Sequence, residues 1–202
     1  VSITAWEALL DKMKIRSGDS LLVHAGLGGV GHIAAQLAKH IGAIVHTTVS
    51  KDEDKATSQK YGSDYPINYK TSTVAEYVEA YTANRGFDFI FDTVGGPNLE
   101  NTFQASKLNG SIACIATGGN HDLTLMYSKG LSLHSVLMLI PLITGLHRDH
   151  YGKILFEVKK LVEAGKIKPL IHSEVFDWTQ ISKAHALLES GKNQGKIAVK
   201  VC

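Results

Sequence analysis

The 202-residue chain has only two cysteines, Cys114 and Cys202, and only four prolines. Two thiols form at most one bridge. A disulfide-stapled secreted scaffold is excluded, and a reducing, cytoplasmic setting is expected. So little proline argues against a linker-rich chain. Charge of one sign is also lacking: 21 basic residues face 19 acidic ones, leaving +2. That balance offers no global field for nucleic acid. Aromatics reach 7% and are not interleaved with basic residues, so no stacking platform for single strands is expected. No charged-then-apolar leader opens the sequence. The longest apolar run, Val136 to Ile143, is far short of a bilayer span and contains Pro141. It reads as a buried strand or as an exposed partner-binding patch, and the two are not exclusive. Neither nucleic acid nor membrane is an expected partner.

What is present points to a regular globular fold. The apolar fraction is 44%, charged residues are 20%, and there are 19 glycines, which suit tight turns. The length amounts to about 1.3 typical domains, enough for one sizeable core.

Trp6, Leu9, Leu10 and Met13 have helical spacing, and Leu21–Ala25 reads as a short strand buried on both faces. A helix carries Val30, Ala34, Leu37, Ala38 and Ile41 and ends near Gly42. Strand Ile44–Val49 follows. Ser50 and Glu53 have the form of a capping box, predicting a helix that runs to Gly62. The spacing then predicts strands over 65–69, 87–92, 111–116 and 131–138, with helices over 74–82 and 99–106 between them. This alternation predicts an α/β fold with a doubly wound parallel sheet. Beyond Pro141 a helical stripe runs from Ile154 to Val162. Strand 171–176, a helix from Ile181 to Leu188, and strand 196–201 complete the chain. The last two strands have no evident partners among the first six. The expected units are a Rossmann domain over 1–140, a helical continuation over 141–168, and a segment of a second domain over 169–202.

Gly26, Gly28 and Gly31 match G-x-G-x-x-G between the end of a buried strand and the start of a helix. Gly26 would make the tight turn. Gly28 would let backbone approach a pyrophosphate, and Gly31 would let helix pack on strand. The phosphates would meet free N–H groups at the helix start. The competing reading is a glycine turn without a ligand. About 20 residues on, where an NAD site usually places an acid, stand Ser50 and Lys51, with Lys55 one turn further. A hydroxyl and a cation suit a 2′-phosphate, so the expected cofactor is NADP(H). Asp52, Glu53 and Asp54 complicate this, although acids favour a first helical turn. Lys51 and Lys55 also read as ordinary surface lysines. A methyltransferase is the weaker alternative, since its ribose acid is missing at Ser50–Lys51.

Three sets of motifs together resemble the cofactor half of a zinc-independent quinone oxidoreductase, in the medium-chain dehydrogenase/reductase superfamily. They are Thr4-Ala5-Trp6-Glu7-Ala8-Leu9 with His24 to Gly31; Asp92-Thr93-Val94-Gly95-Gly96; and Ala184-His185 through Gly195-Lys196-Ile197. The likeness covers essentially the whole chain. It implies that Gly28, Gly29, Val30 and Gly31 hold the pyrophosphate, and that Ser50, Lys51 and Tyr69 surround the 2′-phosphate. Lys55 is slightly off the family spacing. Thr93, Thr117 and Gly118 would line the ribose and nicotinamide side. Backbone around Leu137 would meet the carboxamide, and Asn193 the nicotinamide phosphate. Tyr69 also reads as a core tyrosine, and Asn193 as a turn residue.

The implied reaction is hydride transfer from NADPH to a quinone or an activated alkene, with no protein nucleophile and no metal. His147 and His150 could share a helical face, but no third ligand is identifiable, and a polar loop is the default. His24 and His134 read as satisfied core or interface histidines. The resemblance also implies a homodimer through the edge strand near Leu131–Met138. The chain has the family's final strands without its front domain, and starts abruptly at Val1. It is therefore expected to be a piece of a longer reductase, poorly active alone. A non-enzymatic NADPH-binding or partner-binding module is the alternative.

Overall fold

The computed structural model describes residues 1–201; Cys202 lies outside the described residues. Its elements are α1 (Ser2–Trp6, continued by a π-type turn over Glu7–Lys12), β1 (Ser20–Val23), α2 (Gly31–Ile41), β2 (Ile44–Val49), α3 (Lys55–Lys60), β3 (Tyr65–Asn68), α4 (Val74–Thr82), β4 (Phe87–Asp92), α5 (Asn98–Ala105), β5 (Ser106–Cys114), α6 (Thr124–Ser128), β6 (Ser132–Ser135), α7 (Leu139–Thr144), α8 (Arg148–Glu163), β7 (Ile171–Asp177), α9 (Ile181–Glu189) and β8 (Lys196–Lys200). The first six strands form one parallel sheet in the order β3-β2-β1-β4-β5-β6. The order reverses direction between β1 and β4. That switch point opens a crevice at the carboxyl ends of the strands. β7 and β8 pair with each other, in parallel, as a separate sheet.

The sheet is central because its strands are apolar on both faces. Leu21, Leu22 and Val23 of β1 are all fully buried. Leu21, Val23, Val45 and Phe91 pack under α1 and α2, where Ala34, Ala35 and Ala38 allow close approach. Leu22, Ile90 and Ile112 fill the opposite face, and Phe103 of α5 packs with them. Thr73 caps α4 with a complete capping box to Glu76.

Two expectations are corrected. The Ser50–Glu53 capping box does not form. Extended Lys51 precedes a short 3₁₀ turn over Asp52–Asp54, and Glu53 engages the Lys51 ammonium instead. Nor is the run Val136 to Ile143 a buried strand. β6 stops at Ser135, only Val136 of the run is buried, and Leu139–Thr144 is a helix. Pro141 fits there because the first helical turn needs no amide donor. Leu139, Ile140, Leu142 and Ile143 are exposed.

His46 on β2 is 2% exposed and lies between Tyr65 and Phe87, at 5.0 and 4.9 Å between ring centroids. Its Nδ1 is buried without a partner. Burial pushes its pKa from 6.5 to about 4. Its unfolded form therefore takes up a proton before its folded form does. Stability is full above pH 6.5 and is lost as pH falls from there to about 4. The loss is on the order of 3 kcal/mol. His46→Phe should flatten that part of the pH–stability curve. Thermal melts at pH 7.5 and 4.5 check this, and an unchanged slope refutes it.

Candidate functional site

The glycine turn sits at the switch point, directly after β1. Its geometry differs from the expected one in one respect. Ala25, not Gly26, takes the left-handed conformation, at φ +52°. The Ala25 amide donates to Thr48 Oγ1 at 2.9 Å, and the Gly26 amide to the Thr48 carbonyl at 3.0 Å. These bonds fasten the turn to the end of β2, and Gly28 N donating to Ala25 O at 2.8 Å closes it. Gly26 is needed for a different reason: a Cβ there would lie 2.5 Å from Thr47 Cβ. A Cβ on Gly31 would lie 2.2 Å from the Ala25 carbonyl oxygen, and one on Gly28 3.0 Å from it. The start of α2 is therefore seated against the turn, with Val30 as its N-cap. The helix thus starts beside the cavity that Gly28 lines, an arrangement that suits an anion such as a diphosphate.

Two cavities continue from this turn and share Ala25, Thr48 and Tyr69. The smaller, about 220 Å³, is also lined by Gly28, Ser50, Asp54, Asn193 and Gln194. The larger, about 540 Å³, runs beneath α4 and α5 past His24, Tyr77, Val94 and Asn98. Four expected site residues (Gly28, Ser50, Tyr69 and Asn193) are thus brought to one groove from distant parts of the chain. A groove of about 630 Å³ between α2, α3 and residues 165–168 is roomier, but lies away from the glycine turn.

Lys51 and Lys55 stand on the adjoining turn but do not line either cavity. Lys51 pairs with Glu53 at 3.1 Å and Lys55 with Asp52 at 2.6 Å. Thr93 closes the end of β4, its hydroxyl donating to the His24 carbonyl at 2.7 Å. Thr117 and Gly118 follow β5 on an open flank, where Thr117 Oγ1 lies 3.2 Å from Ser135 Oγ. Leu137 is 50% exposed beyond β6.

Four neighbours of the groove escape sequence reasoning. Lys196 Cδ and Nζ would stand 3.1 and 3.5 Å from a Cβ on Gly29, which puts this ammonium beside the glycine turn. The Gly195-Lys196 pair was visible in the sequence, but its docking on residues 27–29 follows only from Gly195 N donating to Leu27 O at 2.7 Å. Asp54 and Gln194 meet there as well. His24 is the fourth, and it corrects the expectation of a satisfied core histidine. It is buried just past β1, yet its Nε2 has no partner. Burial lowers its pKa, against a smaller opposing pull from Asp92.

The other candidates contribute little. His150 Nε2 lies 2.8 Å from Asp11, and His147 precedes α8 in a left-handed conformation. Among the described residues no group of three or more His, Cys, Asp or Glu converges. Cys114 is a buried free thiol, and burial pushes its pKa up to about 11, so it is a poor nucleophile.

The strand order and the turn after β1 define a Rossmann-type domain of the medium-chain dehydrogenase/reductase superfamily. Residues 61–199, more than half of the chain, match the model of the zinc-binding dehydrogenase family, and the chain belongs to that family. It is 33% identical to an alcohol dehydrogenase superfamily protein from Novosphingobium aromaticivorans, with a TM-score of 0.92 over 100% of this chain and 61% of that one. It is 37% identical to a 2-haloacrylate reductase from a Burkholderia species over 57% of this chain and 34% of that protein. It is 29% identical to a reducing polyketide synthase of Floropilus chiversii, over 96% of this chain and 8% of the synthase. The chain thus spans less than two thirds of each of these proteins. Among the described residues, no helix is long and apolar enough to cross a membrane.

Proposed function

We propose that this chain is the cofactor-binding part of a cytoplasmic, zinc-independent reductase that transfers hydride from NADPH to an activated alkene or a quinone. The observation that carries this reading is the convergence of Gly28, Ser50, Tyr69 and Asn193 on one groove at the switch point. A Cβ at Gly26 or Gly31 would clash with β2 or with the turn itself, so these glycines keep the start of α2 close against the strand ends, as a diphosphate-binding turn requires. The hydroxyls of Ser50 and Tyr69 offer donors to a phosphorylated ribose. The 2-haloacrylate reductase, which by its name acts on an activated alkene, supports the acceptor class. A bound nicotinamide supplies the hydride; the chain's own residues bind and orient it. On this reading residues 169–202 belong to a second, catalytic domain, and turnover requires that domain.

Calorimetric titration with NADPH tests the reading. The chain should bind NADPH while oxidising it poorly with a simple quinone or 2-haloacrylate, and a longer chain that adds a substrate-binding domain should turn over. Absence of NADPH binding refutes it.

The same reading includes a homodimer through β6, which lies at the sheet edge. The exposed Ile140 and Ile143 of α7 follow that edge strand closely in the chain. Edges of this kind are usually covered or charged. Light scattering should give a dimer mass, and Ile140→Asp with Ile143→Asp should give a monomer. A monomeric wild-type chain refutes the dimer.

A further inference from the structure

The cavity beside the glycine turn is lined by a carboxylate where a cation was expected. Residues 50–55 hold two lysines and three carboxylates, which leaves one negative charge in excess. Both lysines are paired, Lys51 with Glu53 and Lys55 with Asp52. Asn68 Nδ2 adds a donor to Asp52 at 3.2 Å. Asp54 is the remaining carboxylate, and it alone of the five charged groups lines the 220 Å³ cavity, with Ser50 and Tyr69. Its Oδ1 accepts from Gln194 Nε2 at 2.6 Å, a bond between residues 140 apart in sequence. Gln194 is seated by its neighbours: its amide donates to His172 Nδ1 at 3.4 Å, and Gly195 N donates to Leu27 O at 2.7 Å.

We propose that Asp54, held by Gln194, discriminates the 2′-substituent of the cofactor's ribose and keeps the site permissive, so that 2′-phosphorylated and 2′-hydroxyl dinucleotides both bind. This rests on the nucleotide reading above. A 2′-phosphate brings between about one and a half and two negative charges towards the Asp54 carboxylate. A 2′-hydroxyl instead finds in it an acceptor. Gln194 occupies one carboxylate oxygen and so tempers both effects. The hydroxyls of Ser50 and Tyr69 serve either ligand, since each both donates and accepts. Specificity is a difference of two affinities, and here one carboxylate opposes the first ligand while it favours the second.

Calorimetry with NADP⁺ and NAD⁺ on the intact chain tests this directly. Wild type should bind the two within about tenfold of each other. Asp54→Asn should move the affinity ratio towards NADP⁺ by about tenfold or more, and Asp54→Ser should move it the same way. Gln194→Leu, which frees the carboxylate, should move the ratio towards NAD⁺ by about threefold. In the Asp54→Asn background the same Gln194 change should leave the ratio unmoved, because the two groups act as one element. A wild-type ratio beyond tenfold, or a ratio that both Asp54 variants leave unmoved, overturns the inference and leaves the nucleotide reading standing. Wild type that binds neither dinucleotide overturns both.

Discussion

Gly31→Ala is expected to destabilise the chain by about 2 kcal/mol and to weaken NADPH binding by roughly a hundredfold. The reason is the 2.2 Å between the added Cβ and the Ala25 carbonyl oxygen, with the Ala25 carbonyl carbon at 3.0 Å and Gly26 Cα at 3.2 Å. All three are backbone atoms of a turn fastened to Thr48, so no side chain can swing aside. The helix start must retreat by roughly an ångström, which strains the core beneath it and moves the amides that would meet the diphosphate. Overpacking at its upper range costs about 3 kcal/mol, and the helical preference of alanine over glycine returns up to about 1. The melting temperature should fall by roughly 4–8 °C. Gly152→Ala is the control. Gly152 is an exposed position of α8 with nothing within 4 Å of an added Cβ, so the same change there should stabilise by roughly 0.5–1 kcal/mol. Equal effects at the two positions would refute the clash argument.

The main sheet was legible because its signals are local. β2, α4 and β4 fall where alternation, β-branched residues and the glycine stops place them. The two terminal strands read as unpartnered by the first six, and they form their own sheet. What sequence missed depends on distance in the chain. The apolar run after β6 carries no periodicity that separates a buried strand from an exposed helix. Only the packing of neighbouring elements decides it. Ser50–Glu53 satisfies the form of a capping box, yet Lys51 competes for Glu53 and wins. At the site, the glycines were legible through their spacing, whereas the division of labour between Ala25 and Gly26 was not. It is set by Thr47 and Thr48 on the adjacent strand. Asp54, Gln194 and Lys196 escaped because their encounters join segments separated by some 140 residues or more.

Asp92→Ala is expected to have the largest effect on stability, about 4 kcal/mol. Asp92 ends β4 and is fully buried. Its Oδ1 accepts from the amides of Val94 and Gly95 at 2.9 and 2.8 Å. Its Oδ2 accepts from Asn98 Nδ2 and Thr102 Oγ1 at 3.1 and 2.8 Å. One carboxylate thus organises the turn that joins β4 to α5. The turn is also tightly seated, since Gly95 packs so close to the Ala116 backbone that an added Cβ would lie 2.1 Å from its carbonyl oxygen. Removing the carboxylate leaves four donors facing a void, each costing about 1–3 kcal/mol where no water replaces it. The melting temperature should drop by roughly 8–16 °C. Asp92→Asn keeps the shape but turns an amide group towards donors, so it should lose less than alanine and still more than a surface change. Val94 and Asn98 line the 540 Å³ cavity, so NADPH affinity should fall along with stability in both variants. Denaturant titration and calorimetry separate the two effects. If Asp92→Ala melts within about 2 °C of wild type, the four bonds do not organise the turn, and the cavity wall they hold must be fixed by something else.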